Sequence, residues 1–293
     1  MLVGLKKAIN NFSELVVFKH TIFSASFILV SLVVASKQLN GTPWFGWRLL
    51  ILCVIALITA RNFAMAFNRF LDYDIDKTNP RTMSRPSVDG RISRSAIGLF
   101  CIVNVVIFIV DSYFINSLAF YLSFPFIIIL GFYSFVKRFS YLAHIVLGVS
   151  LGLAPLSGVI AVLGDIPLWS IYLAIGVLFW VAGFDILYSI QDINHDKKEK
   201  LYSIPSYFGL KKSLLISRVC HVLTVIFWIA FIASYGGGIF AYIGLILSIL
   251  MLLYEHYLVA KNLENIPKAF FVTNGYLGFV FLIFIILDTI FKG

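Results

Sequence analysis

Long apolar runs, broken by short polar stretches, recur along the whole chain. A helix that crosses a bilayer needs roughly 20 mostly apolar residues. Nine runs approach that length, at about 17–36, 47–67, 95–112, 116–136, 141–163, 167–190, 213–233, 238–258 and 269–290. The pattern predicts an all-α, polytopic membrane protein. The nine transmembrane helices are expected to surround a central cavity open to the cytoplasmic side. Most connections are short and leave no room for a separate soluble domain, so residues 1–293 read as one membrane domain. Two connections are longer and strongly polar, 68–94 and 191–212. Pro125 and Pro155 fall inside runs, where a kink either shapes a cavity or is only a packing feature.

Composition removes other classes. Hydrophobic residues make up 60% of the chain and charged residues 13%, against about 45–50% and about 25% in soluble domains. A soluble enzyme, a disordered regulator and a DNA-binding domain are thereby excluded. Lys6 and Lys7 precede the first run, but that run is long and lacks a small-residue cleavage site, so it reads as a span rather than a removed signal. Cys53, Cys101 and Cys220 lie scattered in apolar stretches and make neither a zinc site nor a disulfide framework.

The net charge of +9 points to anionic headgroups rather than nucleic acid, because its distribution is one-sided. With the N-terminus cytoplasmic, 18 of the 23 Lys and Arg fall inside, three (Lys37, Arg48, Lys292) fall outside, and Lys19 and Arg61 lie within spans. The chain is expected to run N-terminus in and C-terminus out, with both polar connections cytoplasmic.

The first polar connection opens with Asn68, Asp72 and Asp76, spaced to share one helical face. Arg61, seven residues earlier, falls on that face too, and Asp74 points elsewhere. Mg²⁺ takes hard oxygen ligands and is usually held by one or two carboxylates plus substrate phosphates. Arg61, Arg81 and Arg85 suit phosphate oxygens. A single Asp-x-x-x-Asp is more often a solvated helix end, but a charge inside a span, as at Arg61, is costly and usually functional.

The second polar connection repeats the layout. Asp185, Asp192 and Asp196 again share a face, with Tyr188 beside them and Lys197, Lys198 and Lys200 following. Asp185 sits in an apolar stretch and should face a cavity. Both segments close an even-numbered run, hence the same side. Two facing acidic motifs on one cavity read as a metal–diphosphate site. His195, between the acids, is a poor partner for Mg²⁺.

These residues resemble the UbiA superfamily of intramembrane prenyltransferases, which typically has nine helices and two aspartate-rich motifs. Asn68–Asp72–Asp76 is similar to its Asn-x-x-x-Asp-x-x-x-Asp, and Asp192–Asp196 to its Asp-x-x-x-Asp. Arg81-Thr82-Met83-Ser84-Arg85-Pro86 resembles its Arg-Thr-x-x-Arg-Pro. The stretch from Tyr133 through Lys137-Arg138 to Leu142 resembles its Tyr-Pro-x-x-Lys-Arg-x-Thr-x-Leu. The similarity runs from about residue 15 to the end and is greatest to the bacterial group acting on 4-hydroxybenzoate. The chain departs from that group at Arg69, at Ala143-His144 and at Ser203-Ile204-Pro205. These variants resemble a branch associated with menaquinone made through futalosine, whose acceptor is a different aromatic acid.

The resemblance implies Mg²⁺-dependent transfer of a polyprenyl group from polyprenyl diphosphate to an aromatic acid, in ubiquinone or menaquinone synthesis at a bacterial-type inner membrane. It assigns metal holding and catalysis to Asn68, Asp72, Asp76, Asp192 and Asp196. Diphosphate binding goes to Arg61, Arg81, Lys137, Arg138 and Lys198. Asp185 or Tyr188 would orient the acceptor, and Arg61 or Arg85 would meet its carboxylate. The prenyl tail would enter from membrane lipid between helices. A transporter is the rival from another class, since intramembrane acids occur there too, but it places charges near the midplane rather than at helix ends.

Overall fold

A computed structural model describes residues 2–16 and 21–292. Among these residues the chain is helical throughout and contains no strand. In order, the elements are α1 (Leu2–Leu15), α2 (Thr21–Asn40), α3 (Trp47–Leu71), α4 (Tyr73–Thr78), α5 (Arg94–Ile115), α6 (Ser117–Val136), α7 (Ala143–Leu163) and α8 (Leu168–Ser189). A 3-10 turn (Ile190–Asp192) leads to α9 (Ile193–Lys198), α10 (Ile204–Tyr235) and α11 (Ile239–Lys261). A second 3-10 turn (Leu263–Asn265), the short α12 (Ile266–Lys268) and a π-helical turn (Ala269–Thr273) precede α13 (Asn274–Phe291).

Eight helical stretches among the described residues are long and apolar enough to cross a membrane. They correspond to the second through ninth expected spans. The first, 17–36, begins in residues 17–20, which together with Lys19 lie outside the described residues; α2 (Thr21–Asn40) occupies the rest. Pro125 and Pro155 lie inside α6 and α7, as expected.

Three boundaries differ from the sequence reading. Residues 2–15, left without an element, form α1, whose end buries Leu15 against Phe63 and Ala66 of α3 and Ile97 and Cys101 of α5. The helix expected to run unbroken through Asn68–Asp76 breaks at Asp72 (φ −87°, ψ 7°). The spacing survives the break, because Asp72 N–H donates to Asn68 O (2.9 Å) and Asp76 N–H to Asp72 O (2.7 Å). The connection 191–212 is shorter than expected, because α10 starts at Ile204. Ser203 and Ser206 cap each other there, Pro205 sits in the first turn, and Gly209 (φ 75°) absorbs a kink that hides the helix from a run of apolar residues.

Helix α8 packs most extensively, against α10 and α7. Trp180, Trp228, Phe231 and Phe281 are fully buried in the core they share with α2, α11 and α13. Between membrane helices, small residues permit close approach and dispersion then holds the contact. Gly148 of α7 is one such point: a Cβ there would sit 2.3 Å from the Leu178 carbonyl oxygen of α8. The outer faces carry Ile102, Ile128, Leu215, Val222 and Ile246, all exposed, as surfaces facing lipid require.

Candidate functional site

Helix α3 delivers Asn68 and Asp72 to one end of the bundle. Asp72 is buried, 1% exposed. Removing one partner from a buried ion pair costs about 3–5 kcal/mol, so such a charge needs several donors, and Asp72 has them. Asn68 Nδ2 donates to Asp72 Oδ2 at 3.0 Å, Lys137 Nζ donates to the same oxygen, and Arg138 donates to Oδ1 at 2.9 Å. Arg138 also donates to Leu71 O (2.9 Å) and Ser134 O (2.8 Å), so it fastens the end of α3 to α6.

Asp76, on α4, is buried as well. Arg85 donates to its Oδ1 at 2.6 Å and Arg69 lies 4.0 Å from its Oδ2. That Oδ2 is buried without a hydrogen-bond partner. Thr82 donates its hydroxyl to the Asp76 carbonyl (2.9 Å) and tightens the loop that carries the arginines. Burial pushes the Arg85 guanidinium down to about 10, with Arg69 adding to the effect and Asp76 opposing it.

The same loop crosses to the second acidic segment. Arg81 donates to both oxygens of Asp192, at 3.1 and 2.5 Å, and to the Tyr188 hydroxyl at 3.1 Å. Asn79 Nδ2 adds a third bond to Asp192 (3.2 Å). Burial pulls the Arg81 guanidinium down, but the hydrogen bond and charge of Asp192 outweigh it and leave it above its ordinary value. Asp196 accepts from the Ser203 hydroxyl (2.8 Å), and His195 Nε2 meets Thr78 Oγ1 at 3.3 Å. Deeper on α8, Asp185 accepts from His144 Nδ1 at 2.6 Å, while His144 Nε2 accepts from the Ile204 N–H (3.3 Å). The backbone donor on Nε2 places the imidazole proton on Nδ1.

All of these side chains except Thr78 and Arg138 face one cavity of about 450 Å³. The structure thus brings together Arg61, Asn68, Asp72, Asp76, Arg81, Arg85, Lys137, Asp185, Tyr188, Asp192 and Asp196. Two expected residues stand elsewhere. Lys198 is exposed at the end of the short α9 and does not line the cavity. Arg138 is not a lining residue either; its guanidinium is spent on Asp72 and two carbonyls.

Sequence reasoning missed Arg69, Asn79, Tyr133, His144, Ser203, Phe270 and Phe271 as lining residues. Of these, Arg69, His144 and Ser203 stood where the chain departs from the pattern of the group it resembles, which was a usable signal. Phe270 and Phe271 had none, because their placement depends on a π turn.

A second, apolar cavity of about 130 Å³ lies between α3, α5, α6 and α7. Arg61, Met65, Tyr133, Leu147 and Leu151 line both cavities, so Arg61 stands where polar space meets apolar space. Its Nε is buried without a hydrogen-bond partner.

The donor set suits a hard divalent cation. It consists of carboxylate and amide oxygens, and Asp76 Oδ2, buried and accepting no hydrogen bond, is a free ligand atom of the right chemistry. Among the described residues no three acidic, His or Cys side chains converge on one point. The aspartates stand apart, each held by a basic or hydroxyl side chain.

The sequence pattern of the UbiA prenyltransferase family matches residues 26–284. Among named relatives, the 4-hydroxybenzoate octaprenyltransferase of Haemophilus ducreyi is 29% identical over 244 residues, 82% of this chain and 86% of that protein. The enzyme of the same name from Vesicomyosocius okutanii is 28% identical, over 82% of this chain and 88% of its own. In three dimensions, the apo structure of a UbiA homologue from Aeropyrum pernix superposes with a TM-score of 0.82 at 31% identity, covering 92% of this chain and 98% of that one. A UbiA homologue from Archaeoglobus fulgidus, bound to GPP and Mg²⁺, shares the fold at a TM-score of 0.76 and 20% identity, over 95% and 99% of the two chains. With a family match over residues 26–284, and both acidic segments on one cavity, this multi-pass membrane protein belongs to the UbiA prenyltransferase family and is a prenyltransferase.

Proposed function

We propose that the protein transfers a polyprenyl group from a polyprenyl diphosphate to an aromatic acid of the 4-hydroxybenzoate type, in respiratory quinone synthesis. The observation that carries this reading is the junction at Arg61. On one side of it lies a polar cavity walled by carboxylates and cations, and on the other an apolar one. A prenyl diphosphate has that same division between headgroup and tail. The names of the relatives support the acceptor class, and the GPP and Mg²⁺ bound to the Archaeoglobus homologue support the donor and the cation.

Asn68, Asp72, Asp76, Asp192 and Asp196 would hold Mg²⁺, which when bound neutralises charge on the departing diphosphate. Arg81, Arg85 and Lys137 line the same space and bind phosphate oxygens; each now pairs with an aspartate and exchanges it for the diphosphate. Arg61 meets the carboxylate of the acceptor, since Arg85 is engaged by Asp76. Asp185, held by His144, and Tyr188 orient the acceptor ring. The C1–O bond of the donor breaks with its electron pair on the diphosphate, a ring carbon then supplies the pair for the new C–C bond, and that carbon releases its proton to restore the aromatic ring. The chain acts as a single domain in a bacterial-type inner membrane, with the N-terminus and the polar cavity on the cytoplasmic side and the C-terminus outside. The prenyl tail lies along membrane lipid, and no nucleic acid takes part.

His144, one of the departures from the 4-hydroxybenzoate group, lines the cavity. That favours a test of the futalosine-route acceptor as the second reading. The decisive assay combines purified protein, a polyprenyl diphosphate, Mg²⁺ and a panel of aromatic acids including 4-hydroxybenzoate and a futalosine-route intermediate, with EDTA as control. Product with one acid, lost with EDTA, names the acceptor. Uptake into proteoliposomes without any chemistry would restore the transporter.

A further inference from the structure

Part of the cavity wall, beside the Arg81–Asp192 pair, is aromatic, and a polar brace behind it has no part in the proposed chemistry. Phe270 and Phe271 are adjacent in sequence yet both line the cavity. Phe270 packs 4.2 Å from the Tyr188 ring and 5.1 Å from Phe184, and Tyr188 carries Arg81 over its face at 5.3 Å. Neighbouring side chains can share a cavity here because Ala269–Thr273 is a π turn, which advances by a smaller angle per residue than an α turn. Such turns are rare and cluster at functional sites.

A buried side chain holds that turn. Asn274, 1% exposed, donates through Nδ2 to the Ala269 carbonyl (3.3 Å), the first of the π turn. The same Nδ2 donates to Glu255 Oε1 at 2.9 Å, and Asn274 Oδ1 accepts from Trp180 Nε1 at 2.8 Å. Glu255 is 1% exposed and Trp180 fully buried. Three polar groups in the middle of an apolar bundle are costly unless satisfied by one another, and a simple packing core at this point needs none of them.

We infer that Asn274, braced by Glu255 and Trp180, is a positioning residue that fixes the π turn and so holds Phe270 and Phe271 on the cavity as a wall against water. The inference rests on the proposed reaction. After the C1–O bond of the donor breaks, the allylic cation has two fates. In one, a ring carbon of the acceptor supplies the electron pair, a C–C bond forms and the ring releases its proton. In the other, water oxygen supplies the pair and loses a proton, and a prenyl alcohol results. The aromatic faces stabilise the cation while excluding water, so a displaced wall diverts flux to the alcohol.

The test uses the full chain in detergent with geranyl diphosphate and Mg²⁺, with and without 4-hydroxybenzoate, reading geraniol-type alcohols and prenylated acid. Asn274→Leu and Glu255→Leu should raise alcohol formation in the acceptor-free reaction about tenfold, a barrier change of roughly 1.4 kcal/mol. Phe270→Leu should do the same directly. Glu255→Gln keeps an acceptor for Asn274 and leaves Glu255 Oε2 with no bond to lose, since it has none, so it should behave as wild type. A gain of hydrolysis is not something that misfolding produces. Where Asn274→Leu does not fold, Trp180→Phe removes one donor, keeps a ring and should shift the same ratio. Unchanged alcohol formation in folded Asn274→Leu or Trp180→Phe, with Phe270→Leu raised, overturns the brace. Unchanged formation in Phe270→Leu overturns the wall. Absence of prenylated acid in wild type, with alcohol still responding to the variants, overturns only the acceptor reading.

Discussion

Arg81 grips both carboxylate oxygens of Asp192, Nε to Oδ1 at 3.1 Å and Nη2 to Oδ2 at 2.5 Å, across 111 residues of sequence. The pair joins the loop after the first acidic segment to the 3-10 turn that follows α8, and the hydroxyl of Tyr188 accepts a third bond from the same guanidinium. A lysine keeps the charge but not the planar fork. Arg81→Lys should therefore lower kcat/KM about tenfold to a hundredfold, the equivalent of the roughly 1.5–3 kcal/mol carried by a hydrogen bond to a charged group. Steady-state kinetics on the purified variant, with retention on gel filtration matching wild type, checks this.

Asp192→Asn and Asp72→Asn should each reduce turnover by at least about 100-fold, because each removes charge that would hold Mg²⁺. They should differ in stability. Asp72 is almost fully buried and takes bonds from Asn68, Lys137 and Arg138. Its amide would keep one acceptor oxygen where Lys137 and Arg138, both half-buried, now have two, so Asp72→Asn should also lower the melting temperature, and Asp192→Asn less so. Near-normal turnover in both would sink the site assignment.

Asp76 offers a cleaner reading of the metal. Its Oδ2 has no hydrogen-bond partner and its Oδ1 is held by Arg85. Asp76→Asn should raise the Mg²⁺ concentration for half-maximal activity, while EDTA abolishes activity in wild type and added Mg²⁺ restores it. A magnesium titration with an unchanged midpoint would remove Asp76 from the ligand set.

The parts of this arrangement that could be read in the chain are those written in local spacing. Runs of apolar residues give spans, and carboxylates four apart give a shared face, which the hydrogen bonds at Asp72 and Asp76 preserve even where α3 breaks. What could not be read depends on partners distant in sequence. Arg138 and Lys137 look alike as neighbours, but the structure sends Lys137 to the cavity and Arg138 to the end of α3. His144 becomes part of the site only because α7 packs against α8, bringing it to Asp185. The π turn at Ala269–Thr273 leaves no periodic trace in so apolar a stretch, so Phe270 and Phe271 could not be told from lipid-facing residues.

Packing makes its own prediction. A Cβ on Gly148 would meet the Leu178 carbonyl oxygen at 2.3 Å, and backbone cannot swing aside as a side chain can. Gly148→Ala should destabilise the α7–α8 contact by about 1–3 kcal/mol, the usual cost of overpacking. A thermal melt in detergent should show a lower midpoint, and an unchanged one would mean that the two helices are not so close. Since His144 stands one turn away on α7, partial loss of activity should accompany the loss of stability.

Arg61 and Arg85 separate the two substrates. Arg85 is tied to Asp76 and lies among the carboxylates, on the side of the cavity where diphosphate would bind. Arg61 lies at the junction with the apolar cavity, and its Nε is buried without a partner. An arginine inside a spanning helix, with its Nε buried and donating to no partner, is costly and calls for an anion; the carboxylate of an aromatic acid is one the reaction supplies. Arg61→Ala should raise KM for the aromatic acid about tenfold to a hundredfold, as expected from losing a hydrogen bond between charged groups, with KM for the prenyl diphosphate little changed. Arg85→Ala should do the reverse. The two constants, measured for each variant with the other substrate saturating, decide it. If Arg61→Ala instead weakens the prenyl diphosphate alone, Arg61 belongs to the phosphate side and the acceptor takes its cation from elsewhere in the cavity, with Arg69 the next to test.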